Sequence, residues 1–250
     1  MLQINKIYFE DCLEGMKKID DKSVDMILCD LPYGTTACKW DIIILFDKLW
    51  NQYNRIIKNN GAICLFGSQP FTTDLINSNQ KYFKYCWYWE KNQGTNFFHA
   101  KRMPIRKIEE IIVFYKKQCT YNIQFSEGHI PTNSAKGCSN GEIYFGTNKR
   151  NYKGGITTRF PDNILKFKCV NNYSKLHPNE KPVDLCEYLI KTYTNENELV
   201  LDNCIGSGTT AIACLNTDRN YIGFENNEKY FKIAEERIEK KKLEIENEKN

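Results

Sequence analysis

Asp202-Asn203-Cys204-Ile205-Gly206-Ser207-Gly208-Thr209-Thr210 closes a short strand-like run, residues 198–201, and leads into helix-forming sequence from Gly208. A strand, a turn with two glycines and a helix let the backbone approach a nucleotide-like ligand closely. Glu225 lies 19 residues beyond Gly206, at the end of the next apolar run, residues 221–224. A carboxylate there can accept hydrogen bonds from both hydroxyls of a ribose. No Lys-Ser or Lys-Thr follows the glycines, which excludes a Walker A loop. Gly-x-Gly-x-x-Ala with a distal acid is also the fingerprint of NAD binding, so these residues alone leave NAD open, beside a purely structural glycine turn.

Outward from this stretch, strand-like and helical patterns alternate, which predicts a mostly parallel sheet. Strands are expected at 4–9, 24–29, 62–66, 85–89 and 111–115, then at 198–201 and 221–224. Helices are expected from Asp11, at 44–58 with Leu45, Leu49, Tyr53 and Ile56 near helical spacing, from Pro70, after Pro182, from Gly208 and from Asn227. The last part, 235–249, is almost all charge and reads as a solvated, fraying end. Between 117 and 169 the alternation stops: Gly, Asn, Ser, Thr, Lys and aromatics dominate, and the stretch is too long for an ordinary loop. The expected organisation is therefore one α/β domain made of 1–116 and 170–250, with 117–169 inserted.

A second stretch carries chemistry. Asp30-Leu31-Pro32-Tyr33 closes the apolar run 24–29. An exocyclic amino nitrogen is a poor nucleophile because its lone pair is delocalised into the ring. A site helps by accepting hydrogen bonds from the amino hydrogens. Asp30 offers one acceptor and the Leu31 carbonyl a second. Pro32 stiffens the turn, and Tyr33 presents a flat face to a base. The same four residues are also an ordinary strand-to-turn exit.

Composition sets bounds. At 250 residues, 41% apolar and 26% charged, the chain has the makeup of a globular protein. No apolar stretch reaches the roughly 18–20 residues that span a bilayer. The first residues lack the apolar core of a signal peptide, so a cytoplasmic location without membrane partners is expected. Eleven cysteines show no Cys-x-x-Cys spacing and several lie in apolar runs, which predicts buried thiols and no metal site. Charge is uneven. Residues 91–168 carry 14 basic and 5 acidic side chains, against 10 and 11 in 1–90 and 11 and 15 in 169–250. A basic middle segment is the footprint of a polyanion partner, or else a solvated lysine-rich surface. Here cations and aromatics interleave: Phe97, Phe98, His99, Lys101, Arg102 and Arg106, then Tyr144, Phe145, Lys149, Arg150, Tyr152, Lys153 and Arg159.

Together these segments resemble a β-class DNA amino-methyltransferase, in which the amino-group motif precedes the cofactor motif. Asp30 to Tyr33 stands where that family has Asp-Pro-Pro-Tyr, and Asp202 to Thr210 where it has Asp-Pro-Phe-x-Gly-Ser-Gly-Thr-Thr. His177-Pro178-Asn179-Glu180-Lys181-Pro182 is similar to its His-Pro-x-x-Lys-Pro segment. Leu31 departs from the first proline but keeps the carbonyl; Asn203-Cys204-Ile205 departs from Pro-Phe-x and removes an aromatic beside the cofactor.

The resemblance implies a Rossmann-like α/β fold with a mostly parallel sheet, permuted motif order and an inserted target-recognition region. It implies S-adenosylmethionine as cofactor, with Asp11 toward its adenine, Glu225 on its ribose, Lys181 toward its methionine part, and Asp202, Gly206, Ser207, Gly208, Thr209 and Thr210 forming the cradle. It places Trp89 and Lys91 near the target base, while Lys101, Arg102, Arg106, Lys149, Arg150 and Lys153 suit DNA phosphates. The implied reaction is methylation of adenine N6 in a base flipped out of double-stranded DNA, within restriction–modification or as an orphan or phage enzyme. Cytosine N4, RNA, an NAD-dependent oxidoreductase and a silent DNA-binding module are the alternatives. Monomer and homodimer both stay open, as does a cognate restriction endonuclease.

Overall fold

The computed structural model describes residues 2–35, 38, 41–139, 148–171 and 173–249, with the side chains of 135–139, 148–152 and 249 left aside. In chain order the elements are β1 (Lys6–Phe9), α1 (Cys12–Met16), β2 (Val24–Cys29), α2 (Phe46–Ile56), β3 (Ile57–Gly67), α3 (Phe71–Ser78), β4 (Phe83–Thr95), β5 (Arg106–Phe114), β6 (Ala135–Ser139), β7 (Asn148–Tyr152), β8 (Ile164–Leu165), α4 (Val183–Tyr193), β9 (Leu199–Asp202), α5 (Thr209–Asn216), β10 (Asn220–Glu225) and α6 (Glu228–Lys249). The chain divides into two compact units. One is Met1–Asn122 with Asn163–Asn250; the other is Ile123–Asp162.

The larger unit holds an eight-stranded sheet in the order β1-β10-β9-β2-β3-β5-β4-β8. Its strands run parallel except β5, which is antiparallel to both neighbours. Parallel strands need covered faces, hence near-continuous apolar sequence, and every residue of β2 is buried. Alternate residues face opposite sides. Met26, Leu28, Ala62, Cys64 and Val200 meet a core completed by α4, α5 and α6. Ile27, Cys29, Ile63 and Leu65 meet the core under α1, α2 and α3, and Val24 joins them because the register shifts between it and Met26. The one acid inside β2, Asp25, is neutralised by Lys58 at 2.6 Å and accepts the Leu199 N–H at 3.0 Å.

The decisive neighbours are β2 and β9, far apart in sequence but paired Met26↔Val200 and Ile27↔Leu201. From β9 the sheet runs one way through β10 to β1, and from β2 the other way through β3. This is a switch point, where open α/β sheets bind ligands beyond their strand ends. Asp30 and Asp202 stand there together.

Three elements depart from the sequence reading. Helix α2 ends at Ile56, and Asn59-Asn60-Gly61 lies within β3 rather than in a helix stop. The charged tail is helical to Lys249; Ala234 and Ile238 anchor it, and Glu239–Lys242 and Lys241–Glu244 pair along it. Strands β4 and β5 extend into a long hairpin, paired out to Thr95↔Arg106.

The smaller unit contains the β6–β7 ladder, from Ala135↔Tyr152 to Ser139↔Asn148, and a bridge between Ser126 and Arg159. Arg159 donates to the Ile130, Ile156 and Thr158 carbonyls, so its guanidinium ties this unit together.

Among the described residues no disulfide and no metal-binding group of His, Cys, Asp or Glu occurs, and no helix is long and apolar enough to cross a membrane.

Candidate active site

The glycine turn is built mostly by its own neighbourhood. Asp202 ends β9; its Oδ2 accepts from the Thr210 hydroxyl at 2.6 Å and its Oδ1 from the Cys204 N–H at 3.1 Å. Burial lifts its carboxyl to about 6. Gly206 and Gly208 have φ of +54° and +85°, the left-handed region that L side chains avoid. A Cβ on Gly208 would also press Ala234 at 3.2 Å. Glu225 wraps the turn from the end of β10, accepting from the Gly206 N–H at 2.9 Å and the Asn227 N–H at 2.8 Å. Arg237 pins the outer side through Ser207 and Thr209, and pairs with Glu180 at 2.8 Å. Asp11 caps α1, its Oδ1 accepting from the Leu13 and Glu14 N–H groups. Burial, with Lys181 nearby, depresses His177 to about 4, so it is neutral; its ring packs edge-on against Tyr230 at 4.2 Å.

The amino-group half is built by residues distant in sequence. Lys181 places Nζ 2.6 Å from Asp30 Oδ2 and 2.9 Å from Glu109 Oε1. Lys91 takes the other Glu109 oxygen at 2.5 Å. The Tyr33 hydroxyl donates to Asp30 Oδ1 at 2.7 Å, and its ring stacks on Phe71 with centroids 4.8 Å apart. The turn is held from beyond by Asp41, whose carboxylate accepts the Gly34 and Thr35 N–H groups. Burial raises the Asp30 carboxyl, with Lys181 opposing and Glu109 adding to the rise. Burial also pushes Glu109 up, yet Lys181 and Lys91 together hold it below the usual carboxylate range. Burial pulls the Lys181 ammonium down, but its two carboxylates drive it above the ordinary lysine value.

Both halves open into one cavity of about 390 Å³. Of the residues assigned from sequence to the amino group and the cofactor, all but Tyr33 and Gly208 line it: Asp11, Asp30, Leu31, Pro32, Lys181, Asp202, Gly206, Ser207, Thr209, Thr210 and Glu225. Sequence reasoning missed Glu109. Its signal was the acid pair Glu109-Glu110 leading into the apolar run Ile111–Phe114 of β5, where strand alternation turns one of the two inward and a buried partner must keep it.

The residues assigned to DNA scatter. Trp89 is not open to a base: it is 3% exposed, and its indole N–H donates to the Phe167 carbonyl at 2.9 Å. It sits at an inward position of β4, opposite Glu109. Lys91 is likewise turned inward, onto Glu109. Lys101, Arg102 and Arg106 are exposed around the tip of the β4–β5 hairpin. There a 3-10 turn, Phe97–His99, leaves the Phe98 side chain fully in solvent. Lys153 is exposed. The side chains of Lys149 and Arg150, on β7, and residues Gly141, Tyr144 and Phe145 lie outside the described residues.

Comparison with known proteins agrees with this geometry. The model of a DNA methylase family, N6_N4_Mtase, matches residues 24–236. The chain is 29% identical to the Type II methyltransferase M1.MboII of Moraxella bovis, over 94% of this chain and 96% of that protein. It is 26% identical to the DNA adenine methyltransferase YhdJ of Escherichia coli K12, over 92% and 81%. Its fold is that of M1.HpyAVI solved with SAM (TM-score 0.63, 24% identity, 93% and 98% covered) and of the cytosine-N4-specific PvuII DNA methyltransferase (TM-score 0.66, 15%, 92% and 84%). With the amino-group turn and the glycine turn meeting at the β2–β9 switch point and the family model spanning both, this chain belongs to the N6/N4 DNA methylases.

Proposed function

We propose that this chain methylates adenine N6 in double-stranded DNA, using S-adenosylmethionine and a base flipped out of the helix. The observation that carries the reading is the β2–β9 pairing, which sets the Asp30 acceptor and the Asp202 glycine turn on one cavity. The cavity falls in the range of small-molecule sites, about 300–1,000 Å³. Its acids fit the cofactor's hydroxyl and amino donors: Glu225 for the ribose and Asp11 for the adenine. Asp202, Gly206, Ser207, Gly208, Thr209 and Thr210 would form the cradle. Lys181, with two of its three N–H donors on carboxylates, keeps a third for the methionine part. The cofactor supplies a methyl group on a sulfonium that is already a good leaving group.

The chain's own residues then handle the base. Asp30 would accept a hydrogen bond from one amino hydrogen and the Leu31 carbonyl from the other, which leaves the nitrogen lone pair free as the nucleophile; one of the two amino protons departs to solvent once the nitrogen is methylated. Pro32 fixes the turn. Tyr33, stacked on Phe71 outside the cavity lining, holds Asp30 through its hydroxyl and is the proposed stacking partner of the incoming base. A duplex buries its amino groups in the stack, so the base must leave it. Lys101, Arg102 and Arg106 on the hairpin suit DNA phosphates, and so, each unit taken by itself, do Lys149, Arg150 and Lys153 of the unit Ile123–Asp162, the proposed recognition region. Such an enzyme works in the cytoplasm, beside a restriction endonuclease or alone.

Adenine is favoured by the aspartate that opens the amino-group motif. The cytosine N4 reading is kept because a cytosine-N4-specific enzyme shares the fold. The test is incubation with labelled S-adenosylmethionine and unmethylated duplex DNA, followed by digestion. Labelled N6-methyladenine is expected; N4-methylcytosine would replace the adenine assignment, and label on RNA alone would overturn the substrate.

A further inference from the structure

We infer that Glu109 is a positioning residue for the amino-group acceptor: bridging Lys181 to Lys91, it fixes the Lys181 ammonium against Asp30 and balances the charge around it. The inference rests on the proposed role of Asp30. Four charged side chains alternate in sign along one line: Lys91 to Glu109 at 2.5 Å, Glu109 to Lys181 at 2.9 Å, and Lys181 to Asp30 at 2.6 Å. Lys91, Glu109 and Lys181 are 14%, 8% and 10% exposed. Burying so many charges is costly, and apolar replacements of similar volume are often neutral or stabilising. Stability alone therefore does not explain four of them.

The network fits the needs of Asp30. A hydrogen-bond acceptor for an amino group must be ionised and basic. An ammonium bound to Asp30 alone would keep it ionised but draw off its electron density. Glu109 takes a share of the same ammonium and pulls it the other way, and Lys91 keeps Glu109 from becoming an unbalanced anion. The register places the parts. Glu109 faces Trp89 across β4–β5, so Lys91, two residues on, lies on the same face of β4 and diagonal to Glu109. Lys181 comes from the loop before α4.

Several other groups surround Asp30. Tyr33 comes from its own turn, Cys29 from β2, Asp202 from the end of β9 and Cys186 from α4. Tyr33, Cys29 and Cys186 are pushed above their ordinary values by burial, and stay neutral through the acid range. Asp202 titrates there, as does His177, which burial and Lys181 hold down to about 4; neither is substituted below, so it is the opposite direction of displacement in the two single variants that reports the network.

The acid limb of the kcat profile against pH is the readout. Glu109→Gln removes the anion competing for Lys181 and leaves Lys91 as an uncompensated cation. Asp30 becomes more acidic, the limb moves to lower pH by about one unit, and the plateau rate falls about tenfold. Lys91→Met leaves Glu109 unbalanced, and the limb moves to higher pH. The double variant removes both charges, and its limb lies between those of the single variants. A merely structural role would lower melting temperature and rate without opposite displacements. Because Lys181 is also proposed to meet the cofactor, the limb is read in kcat at saturating cofactor, with cofactor affinity measured beside it by calorimetry. Limbs that stay in place, or move in the same direction, would overturn the inference. If Glu109→Gln does not fold, Lys91→Met decides alone: an upward move supports the network and an unmoved limb removes it. Wild-type enzyme that methylates no DNA would defeat the proposed function itself, and only a methylating wild type brings this inference to trial.

Discussion

The glycine turn and the amino-group pocket share one cavity but are built in opposite ways. The turn is held from within its own neighbourhood, Asp202 to Thr210 across 8 residues and Glu225 to Gly206 across 19. The pocket depends on hydrogen bonds across 76 and 151 residues, Tyr33 to Glu109 and Asp30 to Lys181. One half uses backbone N–H groups and left-handed glycines; the other uses buried charges on distant elements. A local device survives changes elsewhere, whereas a network fails when any member is removed. The two halves should therefore separate under mutation, one governing cofactor affinity and the other the transfer step.

The sharpest separation is expected from Asp30→Ala. Cofactor binding should persist, while methyl transfer falls by about 10²–10³-fold, the usual cost of removing one preorganised acceptor. Single-turnover kinetics with calorimetry reads both quantities; near-normal turnover would erase the distinction.

Next in size is the pH response of the turn. Burial lifts the Asp202 carboxyl from an ordinary 3.8 to about 6. Between those values the folded chain still holds a proton that the unfolded chain has released. Stability therefore falls as pH rises through this window, by roughly 2–3 kcal/mol from this group. Asp202→Asn should flatten that part of the curve in urea unfolding between about pH 4 and pH 7. An unaltered slope would mean that other carboxyls dominate.

Glu225→Ala is the mirror of the first experiment. It should weaken S-adenosylmethionine by roughly 1.5–3 kcal/mol in calorimetry and leave DNA affinity alone. Equal weakening of cofactor and DNA would break the comparison, because the turn would then serve both ligands.

The smallest effect per residue lies outside both halves. Neutralising Lys149, Arg150 and Lys153 together should weaken DNA of every sequence. It should also flatten the slope of log K against log salt by about 0.9 for each DNA phosphate that is no longer neutralised. The same titration on Lys101, Arg102 and Arg106 compares the hairpin with the smaller unit. Cofactor affinity should not move in either set, and an unchanged slope would remove that set from the DNA surface.

What sequence alone determined was whatever depends on near neighbours. Alternating patterns marked the strands, Asp202 to Thr210 declared a turn because only glycine adopts positive φ cheaply, and Asp30 to Tyr33 stood out as the proposed acceptor because its groups are consecutive. Uneven charge along the chain marked the basic middle. Folding decided which of these meet. The pairing of β2 with β9 brings Asp30 beside Asp202, and no local periodicity encodes the neighbour of a parallel strand. Trp89 and Lys91 looked like base-binding residues in sequence, but their strand turns them inward, one onto the Phe167 carbonyl and the other onto Glu109. Glu109 itself is an ordinary acid in the sequence. It becomes part of the site only where β4, β5, the end of β2 and the loop before α4 converge, because a buried charge acquires meaning from partners that the chain delivers from far away.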